Sequence, residues 1–216
     1  MKLVPLGDQA VLAYFYDESA AFQFAAAVRQ ADYSWLVDVV QAYTSVSVFY
    51  DLDRLNYQEA VAWLQRLDVA AVAAPPSRVQ RIPCCYDFQL DLGRVAKHTG
   101  LSADAIIRLH SQTEYTVYAI GFCPGFPYLG YLPPALCGVP RLEKPRLQVQ
   151  PGSVGLTGRQ TGIYTETRPG GWNLIGRTPL ELVNVADSYF PLRTGDRVVF
   201  EPIDVAEFER LQGQRL

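Results

Sequence analysis

Histidine and cysteine are scarce in this chain of 216 residues, and the shortage removes several kinds of chemistry at the outset. Only His98 and His110 are present, and Cys84, Cys85, Cys123 and Cys137 form no C-x-x-C and no His-paired spacing of the kind zinc requires. Adjacent Cys84 and Cys85 would face opposite sides of a strand. The thiols are therefore expected to be buried or bystander groups in a reducing cytoplasm, and no metal site is evident. No apolar run approaches the roughly 20 residues that a membrane helix needs, and the opening from Met1 to Asp8 is too soon charged for a signal peptide. No membrane role is expected. Basic charge is short as well: a net charge of −3 and a pI near 5.4 leave no dominant basic stripe for nucleic acid.

Familiar catalytic signatures are also missing. There is no G-x-x-x-x-G-K-[ST] phosphate loop, and the glycine-rich run from Gly155 to Gly162 lacks dinucleotide spacing and its strand-to-helix context. No Gly-x-Ser-x-Gly elbow occurs. Ser153 has no base that the sequence identifies, so its hydroxyl is expected to bond neighbouring backbone.

What is present reads as an ordinary globular chain, long enough for one domain or two and 49% hydrophobic. Ala10 to Tyr16 reads as a strand, Asp17 or Ser19 can cap the helix that follows, and Leu36–Ala42 and Ser45–Tyr50 pair as a hairpin through Tyr43-Thr44. Asn56 with Glu59 three residues later predicts a capped helix carrying Val61, Leu64 and Leu67 inward. Residues 69–76 look like a connector closed by Pro75-Pro76, and Arg78 to Tyr86 returns to strand. The order β-α-β-β-α-β predicts an N-terminal α+β sandwich domain over 1–86. Helical patches follow at Asp91–His98 and Ser102–His110, then a strand at Tyr115–Ile120. Short strands are expected at Leu147–Val149, Val154–Thr157, Tyr164–Glu166, Trp172–Arg177, Leu180–Val185 and Arg197–Glu201, a pattern of sandwich or closed barrel. The second domain is expected to span 87–216.

The informative stretch is Gly121 to Glu181. It holds 11 of the 16 glycines and nine of the 15 prolines, a density no long helix tolerates. It also carries Arg141, Lys144, Arg146, Arg159, Arg168 and Arg177 against Glu143, Glu166 and Glu181, so it is locally +3 in a chain that is −3. Five of those cations are Arg, whose planar fork pairs bidentately with carboxylate or phosphate. The stretch reads as a preformed pocket for a small anionic or carbonyl-bearing ligand, or for an acidic partner surface.

Within it, Gly121-Phe-Cys-Pro-Gly-Phe-Pro-Tyr-Leu-Gly130, Pro140-Arg141, Pro145-Arg146, Pro151-Gly-Ser-Val154, Gln160-Thr-Gly-Ile-Tyr164 and Pro169-Gly-Gly-Trp172 through Gly176-Arg-Thr-Pro179 occur in order. Together they resemble the family of the bacterial 5-oxoprolinase B subunit, also described as allophanate hydrolase subunit 1 and as the Kip-type kinase inhibitor. A related segment occurs in the carboxyltransferase domain of urea carboxylase. The resemblance spans essentially the whole chain and implies a cyclophilin-like, mainly antiparallel β-barrel behind the N-terminal domain, an α+β fold overall. It implies a non-autonomous subunit of an ATP-dependent amidohydrolase, opening 5-oxo-L-proline to L-glutamate. ATP would be bound with a homologous larger subunit, of the 5-oxoprolinase C type or the allophanate hydrolase subunit 2 type. An A-type protein of the LamB/YcsF kind would also take part. The alternatives are a regulatory protein that docks on a sensor histidine kinase, or an allophanate hydrolase or urea carboxylase-type carboxyltransferase component. Prolyl isomerisation is suggested by the implied barrel alone, and fold does not confer function. One turn departs from the family: Asp87-Phe-Gln-Leu-Asp-Leu92 replaces a glycine- and proline-rich turn, and only Asp91-Leu92 of it remains.

The candidate site residues follow from both readings. His110 is the candidate general acid/base, against a simple role at a helix C-terminus; His98 is expected to face solvent. Arg141, Arg146 and Arg177 are expected to hold an anion, the first two converging with His110 on one site. Phe122, Pro124, Gly125, Phe126, Tyr128, Gln160, Tyr164, Gly170, Gly171 and Trp172 complete the expected ligand surface, with core packing or tight turns as the other use of the aromatics and glycines.

Overall fold

The computed structural model describes residues 1–69, 77–88 and 90–216, and the chain divides into two compact units, Met1–Pro76 and Ser77–Leu216. The expected 69–76 connector therefore lies largely outside the described residues, as does Gln89 of the departing turn.

The first unit runs β1 (Lys2–Leu6), β2 (Ala10–Tyr14), α1 (Glu18–Gln30), β3 (Leu36–Ala42), β4 (Ser45–Tyr50) and α2 (Tyr57–Arg66). Its antiparallel sheet has the order β1-β2-β4-β3. Period-2 alternation in β4 turns Val46, Val48 and Tyr50 inward, onto the Ala21, Phe24, Ala25 and Val28 stripe of α1 and onto Ala60 and Leu64 of α2. Asp17 caps α1, accepting from Ala20 N–H at 2.8 Å. Asn56 and Glu59 form a reciprocal capping box at α2, with bonds of 3.1 and 2.8 Å. The hairpin register pairs Ala42 with Ser45, with Tyr43 at φ 52 in its turn.

The second unit runs β5 (Val79–Cys85), a 3-10 turn at Tyr86–Phe88, α3 (Leu92–Thr99), α4 (Ala103–Ser111), β6 (Tyr115–Ile120), β7 (Pro127–Gly130), a 3-10 turn at Pro134–Leu136, β8 (Arg146–Val149), β9 (Ser153–Thr157), β10 (Gln160–Ile163), β11 (Arg168–Gly170), β12 (Asn173–Arg177), β13 (Arg197–Ile203) and α5 (Val205–Leu211). Seven strands close a barrel in the order β10-β7-β6-β13-β5-β12-β9, and β8 with β11 forms a separate ribbon. All barrel pairs are antiparallel except β5 with β13. The core holds Ile82, Tyr115, Val117, Leu129, Leu156, Ile163, Ile175, Val198 and Phe200, and α3 and α4 add Leu92, Val95 and Ile106.

Several sequence expectations change. The domain boundary moves from residue 86 to 76, because β5 pairs along its whole length with β13, from Val79↔Arg197 to Ile203↔Cys85. The first unit instead gains β1, an edge strand, where Pro5 is tolerated because one side of its backbone needs no partner. Tyr164–Glu166 and Leu180–Val185 are not strands; β10 precedes the first, and the second makes only isolated bridges at Glu181 and Asn184. β7, β11 and α5 arise where no element was expected, the first inside the glycine-proline motif itself.

The α2 cap is exposed and local, so it can be tested cleanly. Asn56→Ala should lower stability by about 1 kcal/mol, read as a lower urea midpoint at unchanged slope, whereas Asn56→Asp should stay near wild type. An unchanged midpoint for the alanine variant would mean that the box contributes nothing.

Candidate functional site

The site is built on bare backbone. Gly162 of β10 pairs directly with Gly155 of β9. A Cβ at Gly162 would lie 3.0 Å from Phe126 Cζ and 3.0 Å from Trp172 Cζ3, and one at Gly155 would lie 3.2 Å from Trp172 Cβ. With no side chains there, Phe126 and Trp172 settle on the strands, in a small buried cluster with Tyr164, Cys123, Val149 and Leu174. Their rings meet edge-to-face: Phe126 lies 5.3 Å from Tyr164 and 5.4 Å from Trp172, and Tyr128 lies 5.0 Å from Phe126. Such pairs add about 0.5–1.5 kcal/mol each beyond area burial.

Above this floor opens a cavity of about 320 Å³, walled also by Phe122, Arg141, Pro145, Pro169, Gly170 and Gly171. Phe122 stands at its rim, 58% exposed, with a left-handed backbone at φ 69 that a bulky side chain rarely adopts. Gly170 is required by contact, since a Cβ there would collide with the Tyr164 hydroxyl.

Arg141 is the cation of the cavity. Its backbone is clamped from both sides: Arg94 of α3 donates to the Arg141 carbonyl at 3.3 Å and to that of Pro140 at 3.4 Å, while Leu142 N–H donates to Gly171 O at 2.7 Å. Arg94 is itself fixed by Asn173 Oδ1 at 2.8 Å, and the Asn173 amide reaches the Pro140 and Leu156 carbonyls at 3.0 and 3.1 Å. Among the described residues no carboxylate pairs with the Arg141 guanidinium. Burial raises the phenol pKa of Tyr128 and of Tyr164, and the nearby Arg141 only partly opposes it. Both phenols thus stay neutral near pH 7. The cavity offers an exposed cation on a clamped backbone, phenols and aromatic walls, suited to binding and polarising an anion or carbonyl rather than moving a proton.

Eight expected residues therefore meet here: Phe122, Phe126, Tyr128, Arg141, Tyr164, Gly170, Gly171 and Trp172. The others go elsewhere. Arg146 does not converge with Arg141; its Nη2 lies 2.7 Å from Asp91 Oδ1, while Asp91 Oδ2 accepts from Leu174 N–H at 2.7 Å. Both partners are largely buried, and Arg146 lines a separate ledge with Arg177, whose Nε donates to Pro151 O at 3.1 Å. Pro124 gives its carbonyl to the Thr165 hydroxyl at 2.7 Å, Gly125 packs against Val183, and Gln160 sits in β10 opposite Gly130.

His110 is corrected most sharply. It turns inward from α4 and is fully buried, 4.6 Å from the Phe200 ring. Thr161 donates its hydroxyl hydrogen to Gly155 O at 3.0 Å, so it accepts from Nε2–H at 2.9 Å, and Tyr86 O–H donates to Nδ1 at 2.7 Å. Both nitrogens are occupied inside the barrel, and desolvation lowers the imidazole pKa to about 3. It is a core strut and reaches no ligand. His98 is exposed, as expected.

Sequence reasoning misses Arg94, Asn173, Pro145 and Pro169. Asn173 is visible beside Trp172, but nothing in α3 marks Arg94 as a clamp on a segment 46 residues away. Among the described residues no cluster of three or more His, Cys, Asp or Glu could hold a metal, and no helix is long and apolar enough to cross a membrane.

The fold and cavity define a two-unit α+β protein whose closed barrel carries a cation-and-aromatic pocket. The chain belongs to the carboxyltransferase domain family, subdomain C and D, which matches residues 1–191. It is similar to the 5-oxoprolinase B subunit of Bacillus subtilis (strain 168), 34% identical over 233 residues, covering 96% of this chain and 95% of the relative. It is also similar to the 5-oxoprolinase B subunit of Escherichia coli O157:H7, 42% identical over 180 residues, covering 82% of each. Among solved structures, TTHA0988 is 36% identical with a TM-score of 0.79 over 91% of this chain. The chain spans 40% of the length of TTHA0988.

The buried imidazole makes a pH prediction. Its folded-state pKa, about 3, lies below its ordinary 6.5, so the unfolded chain takes up the proton first. The stabilisation is fully present above about pH 6.5 and is lost as pH falls toward about 3, at about 1.4 kcal/mol per pKa unit. His110→Gln should melt well below wild type at about pH 7.5, and the gap should narrow by about pH 4. Melting curves that stay parallel over that range would contradict a buried neutral imidazole.

Proposed function

We propose that this chain is the B-type subunit of a 5-oxoprolinase complex, supplying a binding pocket for the substrate and no complete catalytic set of its own. The observation that carries the reading is the unpaired Arg141 guanidinium held by its clamped backbone beside the aromatic floor. The similar curated relatives, named as 5-oxoprolinase B subunits over nearly this whole length, support the same substrate. 5-Oxoproline joins a carboxylate to a compact lactam ring. Its carboxylate pairs with Arg141, its ring lies against Phe126 and Trp172, and the Tyr128 phenol donates to an oxygen.

The reaction is ATP-dependent, and ATP is held mainly by a homologous larger subunit. The residues of this chain do not by themselves fit a nucleoside triphosphate. The charge of Arg146 is paired with Asp91 through Nη2, and no glycine-rich loop leads into a helix to cradle phosphates among the described residues. A LamB/YcsF-type protein completes the hydrolysis. The complex acts in the cytoplasm.

The test is ATP hydrolysis stimulated by 5-oxoproline in the complex reconstituted from all three proteins. Bonds to charged groups contribute roughly 1.5–3 kcal/mol, so Arg141→Ala should raise KM for 5-oxoproline about 10- to 150-fold. Arg141→Lys should rescue poorly, because a point charge does not reproduce the fork. Wild-type kinetics in Arg141→Ala would remove the substrate from this pocket. No stimulated hydrolysis in any reconstitution would overturn the enzyme-subunit reading.

A further inference from the structure

The segment that follows β12, residues 178–190, forms no strand and is tied down by the last four residues, 213–216. Gly213 N–H donates to Pro179 O at 3.0 Å, Glu181 N–H to Gln214 O at 2.8 Å, and the Tyr189 phenol to Leu216 O at 2.8 Å. Arg215 gathers the rest. Its Nε bonds Glu181 Oε2 at 2.8 Å, its Nη2 pairs with Asp187, and its guanidinium lies 4.5 Å from the Tyr189 ring centroid. The hydrogen bond from Arg215 holds the Glu181 carboxyl below its usual range.

The other side of this segment meets the motif loop. Gly125 has φ +68, and a Cβ built there would fall on Val183 Cγ2, with Phe190 3.6 Å away. The Val183 methyl thus occupies the space that the glycine leaves. The loop containing Gly125 is tight, closed by Gly121 N–H to Phe126 O at 3.2 Å and by Phe126 N–H to Cys123 O at 3.1 Å. It has little slack between Gly125 and Phe122, the residue at the rim of the cavity. The strap lies beyond the region 1–191 that the family matches.

We propose that Arg215 and Val183 are positioning residues for the aromatic pocket. The strap of residues 213–216 presses segment 178–190 onto the motif loop, and the Val183 peg in Gly125 sets Phe122 over the cavity. The consequence for substrate rests on the reading of that pocket as the 5-oxoproline site. The mechanical part does not.

Hydrogen–deuterium exchange on the full chain separates the two. Arg215→Ala should speed exchange in both 178–190 and 121–126, and Val183→Ala should speed it in 121–126 with the strap intact. Unchanged protection of β9 and β13 in the barrel serves as the check against unfolding of the second unit. In the reconstituted complex both variants should raise KM for 5-oxoproline about fivefold or more, with kcat within about twofold of wild type. Arg215→Lys, which keeps one carboxylate partner, should recover part of the protection. Wild-type exchange of 121–126 in both alanine variants would overturn the proposal. A loosened loop with wild-type KM would retain the strap and remove the pocket as the substrate site.

Discussion

The packing of Phe126 and Trp172 against bare backbone at Gly155 and Gly162 is what the binding face of this protein depends on. The two glycines are register partners on neighbouring strands, so they leave one smooth patch instead of two separate gaps. Phe126, Trp172 and Leu174 fill it from outside, in a cluster distinct from the barrel interior. Close packing leaves no room for even a methyl group at Gly162, and interiors at native density do not yield such space without strain. Glycine at these positions therefore serves packing more than flexibility. The rigidity of the floor is also what gives Arg141 a defined place, since the segment that carries it is stitched to Gly171 and Asn173 on the same face.

Three arginines that look alike along the chain have different electrostatic fates. Arg146 neutralises Asp91, a carboxylate only 7% exposed that also ties α3 to β12 through the Leu174 N–H. Removing one partner of such a pair strands the other charge out of water, so this arginine belongs to the stability of the unit. Arg177 lies 5.9 Å from the Phe208 ring centroid and bonds a carbonyl. Among the described residues neither Arg141 nor Arg177 meets a carboxylate, and of the three only Arg141 lines the aromatic cavity. Desolvation decides the fate of His110 in the same way: the interior that holds it also keeps it neutral.

Local signals are legible in the sequence and long-range partners are not. The hairpin of β3 and β4, the caps at Asp17, Asn56 and Ser102, and the span of β6 follow from alternation and capping chemistry within a few residues. Most of the pocket can also be read, because its walls come from motifs rich in glycine and aromatic residues. What fails depends on pairing at a distance. β5 carries the alternation of a strand but nothing that names β13 as its neighbour, so chain order alone assigns it to the wrong unit. His110 sits at a helix end in the sequence, where imidazoles often meet solvent, and its inward rotation follows from Tyr86 and Thr161 far along the chain. Arg146 misleads for the same reason: Asp91 reads as a remnant of a turn and not as a counterion.

The parallel seam between β5 and β13 has a consequence for synthesis. β5 is made first in the second unit and β13 is the last of its strands, yet each lies beside the other in the closed barrel. Until residues 197–203 leave the ribosome, β5 and β6 each lack a neighbour and expose an open edge. Contacts this remote in sequence form slowly, because the chain between them must first be ordered. The first unit, by contrast, is complete well before that and is free to fold as it emerges. The nascent protein thus passes through a stage with a finished N-terminal unit and an unclosed barrel, and open strand edges at that stage are where mispairing or a chaperone would act.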